Sequence, residues 1–299
     1  MTDTNAPIGV FDSGIGGLTV MKEIMHQIPD EKIIYFGDTA RVPYGSKSRE
    51  TVTKFSRQIV HFLESQHVKA IVVACNTASA YALDELERET EVPIIGVVKP
   101  GARVASEVTK NGKIGVIATA ATISSAIYSS YIKKKKPDVE VIERACPLFV
   151  PLVEEGLWRD PVTDEIARRY LAELIDIDID TLVLGCTHYP LIRETIGRIM
   201  GERVTLVNPA YETARELKEL LQREELLRKV RPALGDNQYQ FYVSDASEKF
   251  KQFANSIIKY GILSAKTLNV EGYCNILYEE FLYEKRSFAG AQGAAVCSS

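Results

Sequence analysis

The stretch IVVACNT at residues 71–77 is matched in form by LVLGCTH at residues 182–188. In each, an apolar run ends in a small residue, followed by a cysteine and then by small hydrogen-bonding side chains. An uninterrupted apolar run of this kind predicts a strand that is buried on both faces, as in a parallel sheet covered by helices. Ligands of such sheets bind beyond the carboxyl ends of the strands. Cys75 and Cys186 are therefore expected to lie where a ligand binds.

A second pair of similar segments, IGVF at residues 8–11 and IGVI at residues 114–117, precedes the two cysteine strands. Two halves that each open with such a strand and later place a cysteine at a strand end indicate an internal duplication. Strands alternate with helices throughout, which favours parallel sheets. The predicted fold is α/β, with two doubly wound, pseudo-symmetric domains and the active site in the cleft between them.

The strand pattern restarts at Lys99, and the second repeat ends before Pro209. We therefore expect a first lobe formed by residues 1–98 together with 209–273, and a second lobe formed by residues 99–208. The strand at residues 240–243 is expected to return to the first lobe. Residues 274–299 are rich in small side chains and are expected to form a C-terminal extension.

Composition narrows the class of protein. The net charge of −4 argues against a nucleic-acid or anionic-membrane partner, and no apolar run is long enough for a membrane span. The five cysteines form no CxxC pair, so neither a disulfide framework nor a zinc site is predicted. We therefore expect the protein to lie in the cytoplasm, where thiols stay reduced.

The first strand runs into the turn DSGIGG at residues 12–17. The turn does not match the dinucleotide fingerprint GxGxxG, because Thr19 stands where the third glycine is needed. Two interpretations stay open. The turn amides can face an anion, or the glycines only permit a tight turn in which Asp12 caps the following helix.

Because the ordinary pKa of a thiol is about 8.5, either cysteine needs a neighbouring group that stabilises its thiolate before it can act as a nucleophile or base at neutral pH. Cys186 is followed two residues later by His188 and by a helix start, both of which can stabilise a thiolate. Cys75 also precedes a helix, and Asp12 at a neighbouring strand end can exchange a proton with it. The alternative is that both are small buried core residues, although their position beside polar side chains favours a functional role.

Taken together, these segments closely resemble the glutamate racemases of the aspartate/glutamate racemase superfamily. The matching residues cover roughly residues 7 to 255 and are IGVFDSGIGG at 8–17, GDT at 37–39, PYG at 43–45, ACNTA at 74–78, CPL at 146–148 with Glu154, and GCTHYP at 185–190. The resemblance implies racemisation of L-glutamate to D-glutamate for peptidoglycan synthesis. It also implies a cytoplasmic homodimer that uses no cofactor and no metal.

The resemblance also implies residue roles. Cys75 and Cys186 would be the acid/base pair, one on each face of the substrate α-carbon, assisted by Asp12, Glu154 and His188. Substrate contacts would come from Asp12, Ser13, Pro43, Tyr44, Gly45, Asn76, Thr77, Thr119, Thr122, Thr187 and His188. Cys75 would serve the D-enantiomer and Cys186 the L-enantiomer.

Two alternative functions stay open. One is a racemase of the same superfamily that acts on aspartate, although the motifs CNTA and CTHYP favour glutamate. The other is a two-lobed amino-acid-binding protein without catalytic activity. Thiols at both strand ends count against a binding protein, because binding alone does not need them.

Overall fold

The computed structural model describes residues 3–230, 238–258 and 264–271. In chain order its strands are β1 (Ile8–Asp12), β2 (Ile33–Gly37), β3 (Ala70–Val73), β4 (Ile94–Gly96), β5 (Lys113–Ala118), β6 (Glu140–Ala145), β7 (Thr181–Gly185), β8 (Thr205–Val207), β9 (Tyr239–Val243) and β10 (Lys266–Thr267). Its helices are α1 (Leu18–Gln27), α2 (Arg49–Ser65), α3 (Asn76–Tyr81), α4 (Leu83–Glu89), α5 (Val98–Val108), α6 (Ala120–Ser124), α7 (Ile127–Lys135), α8 (Phe149–Glu154), α9 (Pro161–Asp176), α10 (Arg193–Met200), α11 (Pro209–Arg223) and α12 (Ser247–Ile257).

These strands form two parallel sheets. The first has six strands in the order β10-β9-β2-β1-β3-β4, and the second has four in the order β6-β5-β7-β8. Neighbouring strands run parallel in both sheets. The order β2-β1-β3-β4 in the first sheet repeats as β6-β5-β7-β8 in the second, so β3 and β7 occupy equivalent places. The predicted fold class, a pair of pseudo-symmetric α/β units with parallel sheets, is confirmed.

Each sheet is covered by helices, as the apolar strands require. In β1 every residue is buried. Val10 belongs to the core cluster that includes Met21 of α1, whereas Phe11 belongs to the cluster that includes Ile59 and Leu63 of α2. Successive side chains of a strand point to opposite faces, so α1 and α2 cover opposite sides of the first sheet. This two-sided burial accounts for the lack of hydrophobic alternation in β1.

Three helices are bounded by irregular backbone. The segment from Ala120 to Lys135 divides into α6 and α7 at Ala126, whose φ of 51° is left-handed and interrupts the helical ladder. Helix α10 starts at Arg193, because Tyr189–Ile192 before it form a 3-10 turn. Helix α11 ends at Arg223, and a left-handed Glu225 then turns the chain.

The last part of the described chain belongs to the first sheet. Strand β9 pairs with β2, so the chain returns to this sheet after α11. The predicted extension at residues 274–299 lies outside the described residues. In the part of the chain that the structure describes, no helix combines the length and apolar character that crossing a membrane requires.

Candidate active site

The two cysteines follow equivalent strands, β3 and β7. In the first sheet Phe11 pairs with Val73, so Asp12 and Cys75 follow at one edge. In the second sheet Ala118 pairs with Gly185, which brings the Thr119 loop beside Cys186. Because the carboxyl ends of parallel strands meet at one edge, each sheet presents a cysteine together with polar loop residues.

Cys75 is held as a thiol. Its Sγ accepts a hydrogen bond from the Ala78 amide at 3.5 Å, and its thiol donates one to the Ser13 hydroxyl oxygen at 3.6 Å. The side chain is only 5% exposed. Burial raises the pKa of Cys75 to about 12, and the charge of Asp12 contributes in the same direction. A thiol with so high a pKa is suited to donate a proton rather than to start as a base.

Cys186 lies at one end of a hydrogen-bonded chain. Its Sγ is 3.8 Å from Nδ1 of His188, and Nε2 of His188 is 3.0 Å from Oε1 of Glu154. Burial lowers the pKa of His188, but its bonds to Cys186 and Glu154 outweigh burial and raise it to about 10. His188 is therefore a cation at neutral pH. The sulfur of Cys186 thus has a buried cation as its neighbour.

Glu154 supports that charge from α8. Burial raises the pKa of Glu154, yet the hydrogen bond and charge of His188 lower it below its ordinary value in the net. Lys249 of α12 adds a weaker lowering contribution. The carboxylate is therefore ionised at neutral pH and compensates the buried imidazolium.

Asp12 lies between the two cysteine environments. Its Oδ2 accepts a hydrogen bond from the Gly14 amide at 3.0 Å, and its Oδ1 accepts one from the Thr187 hydroxyl at 3.5 Å. Burial raises the pKa of Asp12, opposed by the charge of His188 and by the amides of Gly17 and Gly14. The amides of the glycine turn thus face the carboxyl group of Asp12 itself.

Three threonine hydroxyls meet where the two sheets face each other. The Oγ1 of Thr77 lies 3.0 Å from that of Thr119 and 3.2 Å from that of Thr122. Thr119 and Thr122 are 3.1 Å apart. Thr119 also caps α6, because its side chain accepts the Thr122 amide. The cluster joins the start of α3, just after Cys75, to the start of α6, just after β5, and offers hydroxyl donors to an anionic group.

The loop at Pro43, Tyr44 and Gly45 is attached to a buried carboxylate. Asp38 is fully buried and accepts hydrogen bonds from the Tyr44 hydroxyl and from Nε of Arg41. Gly45 lies against Thr119, since a Cβ there would be 2.8 Å from Cβ of Thr119. Pro43 follows a cis peptide bond and is exposed. Asp38 thus fixes the loop that carries Tyr44 and Gly45 against the second sheet.

Two residues that hold parts of the site in place, Asp38 and Tyr128, have no role predicted from the sequence. Asp38 belongs to the segment GDT at residues 37–39, and its position just after β2 is a usable signal, since that edge of the sheet also carries Asp12. Tyr128 donates from its hydroxyl to Oδ1 of Asn76 at 2.7 Å and was not singled out, because nothing local in its sequence marks it. Across residues 3–230, 238–258 and 264–271, no group of three or more His, Cys, Asp or Glu side chains is placed to hold a metal ion.

Comparison with known proteins identifies the family. The model of the Asp/Glu/Hydantoin racemase family matches residues 8–217. The glutamate racemase of Geobacter metallireducens is 52% identical over 251 residues, which is 84% of this chain and 92% of that protein. The chain belongs to the glutamate racemase family. Its members are isomerases.

Solved structures of glutamate racemases agree with this assignment. The enzyme of Francisella tularensis, solved in complex with D-glutamate, is 41% identical in sequence and superposes with a TM-score of 0.84. The match covers 90% of this chain and 100% of that one. The enzyme of Bacillus anthracis is 41% identical with a TM-score of 0.83, covering 89% and 98% of the two chains.

Within this glutamate racemase, Gly16 allows the DSGIGG turn to approach the Cys186 loop. A Cβ at Gly16 would lie 2.4 Å from Oγ1 of Thr187 and 2.5 Å from the ring of His188. Gly16→Ala is expected to displace the imidazole and lower kcat/KM by about tenfold or more, the equivalent of about one lost hydrogen bond to a charged group. Steady-state kinetics measure this effect.

Gly197→Ala is the matched control, because a Cβ there meets only Leu206 at an ordinary 3.5 Å. Gly197 lies in α10, where alanine favours the helix. Activity should be unchanged in this variant. Equal activities of the two alanine variants would contradict the requirement for a close approach at Gly16.

The His188 ion pair predicts a pH dependence of stability in this racemase. The folded-state pKa of His188 is raised from 6.5 to about 10. Its contribution to stability is therefore fully present below about pH 6.5 and is lost as the pH rises through about 10. As the pH rises from about 6.5 to about 10, the free energy of unfolding should fall further in the wild type than in His188→Asn, by more than about 1.4 kcal/mol. Urea unfolding measures both, and parallel pH profiles would contradict the assignment.

Proposed function

We propose that this racemase interconverts L- and D-glutamate with Cys186 and Cys75 as two bases on opposite faces of the α-carbon, without a cofactor. The observation that carries the proposal is the contrast between the two sulfurs. Cys186 lies 3.8 Å from a cationic His188, whereas burial keeps Cys75 protonated with a pKa of about 12. One sulfur is prepared to accept a proton while the other is prepared to donate one.

In the direction from L to D, the Cys186 thiolate takes the α-proton and becomes a thiol. The electron pair left on the α-carbon then takes the proton of Cys75 on the opposite face, and Cys75 becomes the thiolate. The reverse reaction starts from this second state and restores the first. Asp12 and Thr187, which share a 3.5 Å hydrogen bond between the two environments, are proposed to assist the proton exchange.

The carbanion-like transition state requires fixed donors in a site with little water. Cys75 and Cys186 are 5% and 6% exposed, so electrostatic interactions at both sulfurs are strong. We propose that the substrate carboxylates and amino group are held by the predicted residues at these strand ends, namely Asp12, Ser13, Pro43, Tyr44, Gly45, Asn76, Thr77, Thr119, Thr122, Thr187 and His188. The hydroxyl cluster of Thr77, Thr119 and Thr122 supports this role for its three members.

We also propose that residues 1–98 with 209–273 form one lobe and residues 99–208 the other. The sheet memberships support this division, because β5 to β8 alone form the second sheet.

We further propose a cytoplasmic homodimer that supplies D-glutamate for peptidoglycan. A reducing compartment keeps both thiols available. Size-exclusion chromatography with light scattering tests the dimer.

Incubation with L-glutamate in D₂O, with EDTA and no added cofactor, tests the activity. Optical rotation should decay to zero while deuterium enters the α-position. The same experiment with L-aspartate should show little change. Turnover of aspartate in preference to glutamate would instead support the aspartate alternative, and no exchange with either amino acid would support a binding protein.

A further inference from the structure

Asn76 follows Cys75 directly and is the first residue of α3. Its side chain is 4% exposed, so both ends of its amide need partners. The carbonyl end, Oδ1, accepts a hydrogen bond of 2.7 Å from the hydroxyl of Tyr128. Tyr128 lies in α7, which follows β5 of the second sheet. This bond therefore connects the loop of Cys75 to the half of the chain that carries Cys186.

The direction of this bond is set by the chemistry of Tyr128. The ring is fully buried, and burial raises the pKa of its hydroxyl well above the ordinary value, with the charge of Cys186 acting in the same direction. The phenol therefore keeps its proton and needs an acceptor. Only the carbonyl end of Asn76 can accept, so this end faces Tyr128. The amide nitrogen, Nδ2, is left to donate elsewhere.

The ring of Tyr128 has little freedom to move. A Cβ at Gly185, the residue before Cys186, would lie 3.1 Å from Cε2 of Tyr128. A Cβ at Gly101 of α5 would lie 3.5 Å from Cε1. Two glycines thus admit the ring between α5 and the end of β7. The hydroxyl of so tightly packed a ring therefore has a fixed position relative to the amide that it contacts.

We propose that Tyr128 is a positioning residue for catalysis. Its hydroxyl holds the Asn76 amide in the one orientation that presents Nδ2 as a donor to the substrate between the cysteines. The inference rests on the proposed glutamate racemisation and extends it, since Tyr128 acts through Asn76 and need not touch the substrate. Without the hydroxyl, the amide can turn over and present an acceptor to an anionic substrate.

A double-mutant cycle tests this coupling. Tyr128→Phe removes only the hydroxyl and should lower kcat/KM for glutamate about tenfold, as expected for one misplaced hydrogen bond. Asn76→Ala should lower it at least as much. The double variant should equal Asn76→Ala, because the hydroxyl has no further effect once the amide is absent. A merely structural role of Tyr128 would make the two losses multiply.

Tyr131→Phe is the matched control, since Tyr131 lies one turn further along α7 and is half-buried with its ring near Lys99. It should keep wild-type kcat/KM. Asn76→Asp gives a second measurement that does not depend on how Tyr128→Phe folds. It keeps an acceptor for Tyr128 but has no Nδ2 donor, so its kcat/KM should fall as far as that of Asn76→Ala.

The wild-type enzyme separates this proposal from the proposed function. No racemisation of glutamate by the wild type would overturn the function. An active wild type with full activity in Tyr128→Phe, with multiplicative losses in the cycle, or with full activity in Asn76→Asp would overturn the role of Tyr128 alone.

Discussion

Replacing either Cys75 or Cys186 with alanine is expected to slow racemisation of glutamate by about 10²–10⁴-fold or more. Each variant lacks the group that removes or returns the α-proton on one face. The remaining thiol would have to reach both faces, which a side chain fixed at a strand end cannot do. Cys75 is additionally held by the Ala78 amide and the Ser13 hydroxyl, so it has no freedom to cross the substrate plane.

Partial reactions distinguish the two variants. Cys186 is proposed to act on the L-enantiomer, so Cys75→Ala should still exchange the α-proton of L-glutamate with D₂O while retaining its configuration. Cys186→Ala should do so only with D-glutamate. Proton NMR of the α-position follows the exchange, and a chiral assay follows the configuration.

Cys146→Ala is the matched control for these substitutions. Cys146 is a third free, buried cysteine, and its Sγ lies 3.8 Å from the carbonyl of Arg144. It is placed in no step of the reaction, so racemisation should persist. Near-normal turnover in Cys75→Ala or Cys186→Ala would mean that the thiols are structural, and the two-base proposal would be wrong.

The sheets could be predicted because their determinants are local in sequence. The runs that end at Cys75 and Cys186 are apolar without interruption, which indicates burial on both faces of a parallel sheet. Alternation with helices then favours parallel pairing, and the repeated IGV segments indicate two similar units. The fold class was therefore accessible from patterns a few residues long.

The site was accessible only in part. Cys186 and His188 are neighbours in the chain, so their contact is a short-range expectation. The resemblance to the glutamate racemases named Glu154, and the structure puts it 3.0 Å from His188 across 34 positions. No periodicity in the sequence could supply that pairing, because it depends on how α8 packs beside the end of β7.

Contacts between the two halves of the chain were hidden for the same reason. Tyr128 and Asn76 are 52 positions apart, and nothing in the sequence around Tyr128 marks it as a partner of Asn76. The helix interruption at Ala126 that orients α7 was equally invisible, because alanine is a good helix former and its left-handed conformation is imposed by the tertiary packing.

His188→Asn is expected to lower kcat from L to D by on the order of 10²-fold, and kcat from D to L by much less. A cation about 4 Å from a thiolate is worth about 4 kcal/mol at an effective dielectric constant of 20, and release from the cost of burying the imidazolium offsets part of that loss. The thiolate that His188 stabilises is needed first in the reaction of L-glutamate. In the reaction of D-glutamate, Cys186 starts as a thiol and does not require the cation.

The equilibrium between the free enantiomers constrains how this effect can appear. The two enantiomers have equal free energy, so kcat/KM must remain equal in the two directions in every variant. The KM for L-glutamate must therefore fall relative to the KM for D-glutamate in His188→Asn. Glu154→Gln should shift kcat in the same direction but by a smaller factor, since it removes the carboxylate 3.0 Å from His188 and leaves the imidazole beside Cys186. Full progress curves from each enantiomer measure all four constants, and an equal fall of kcat in both directions would show that His188 does not serve one face.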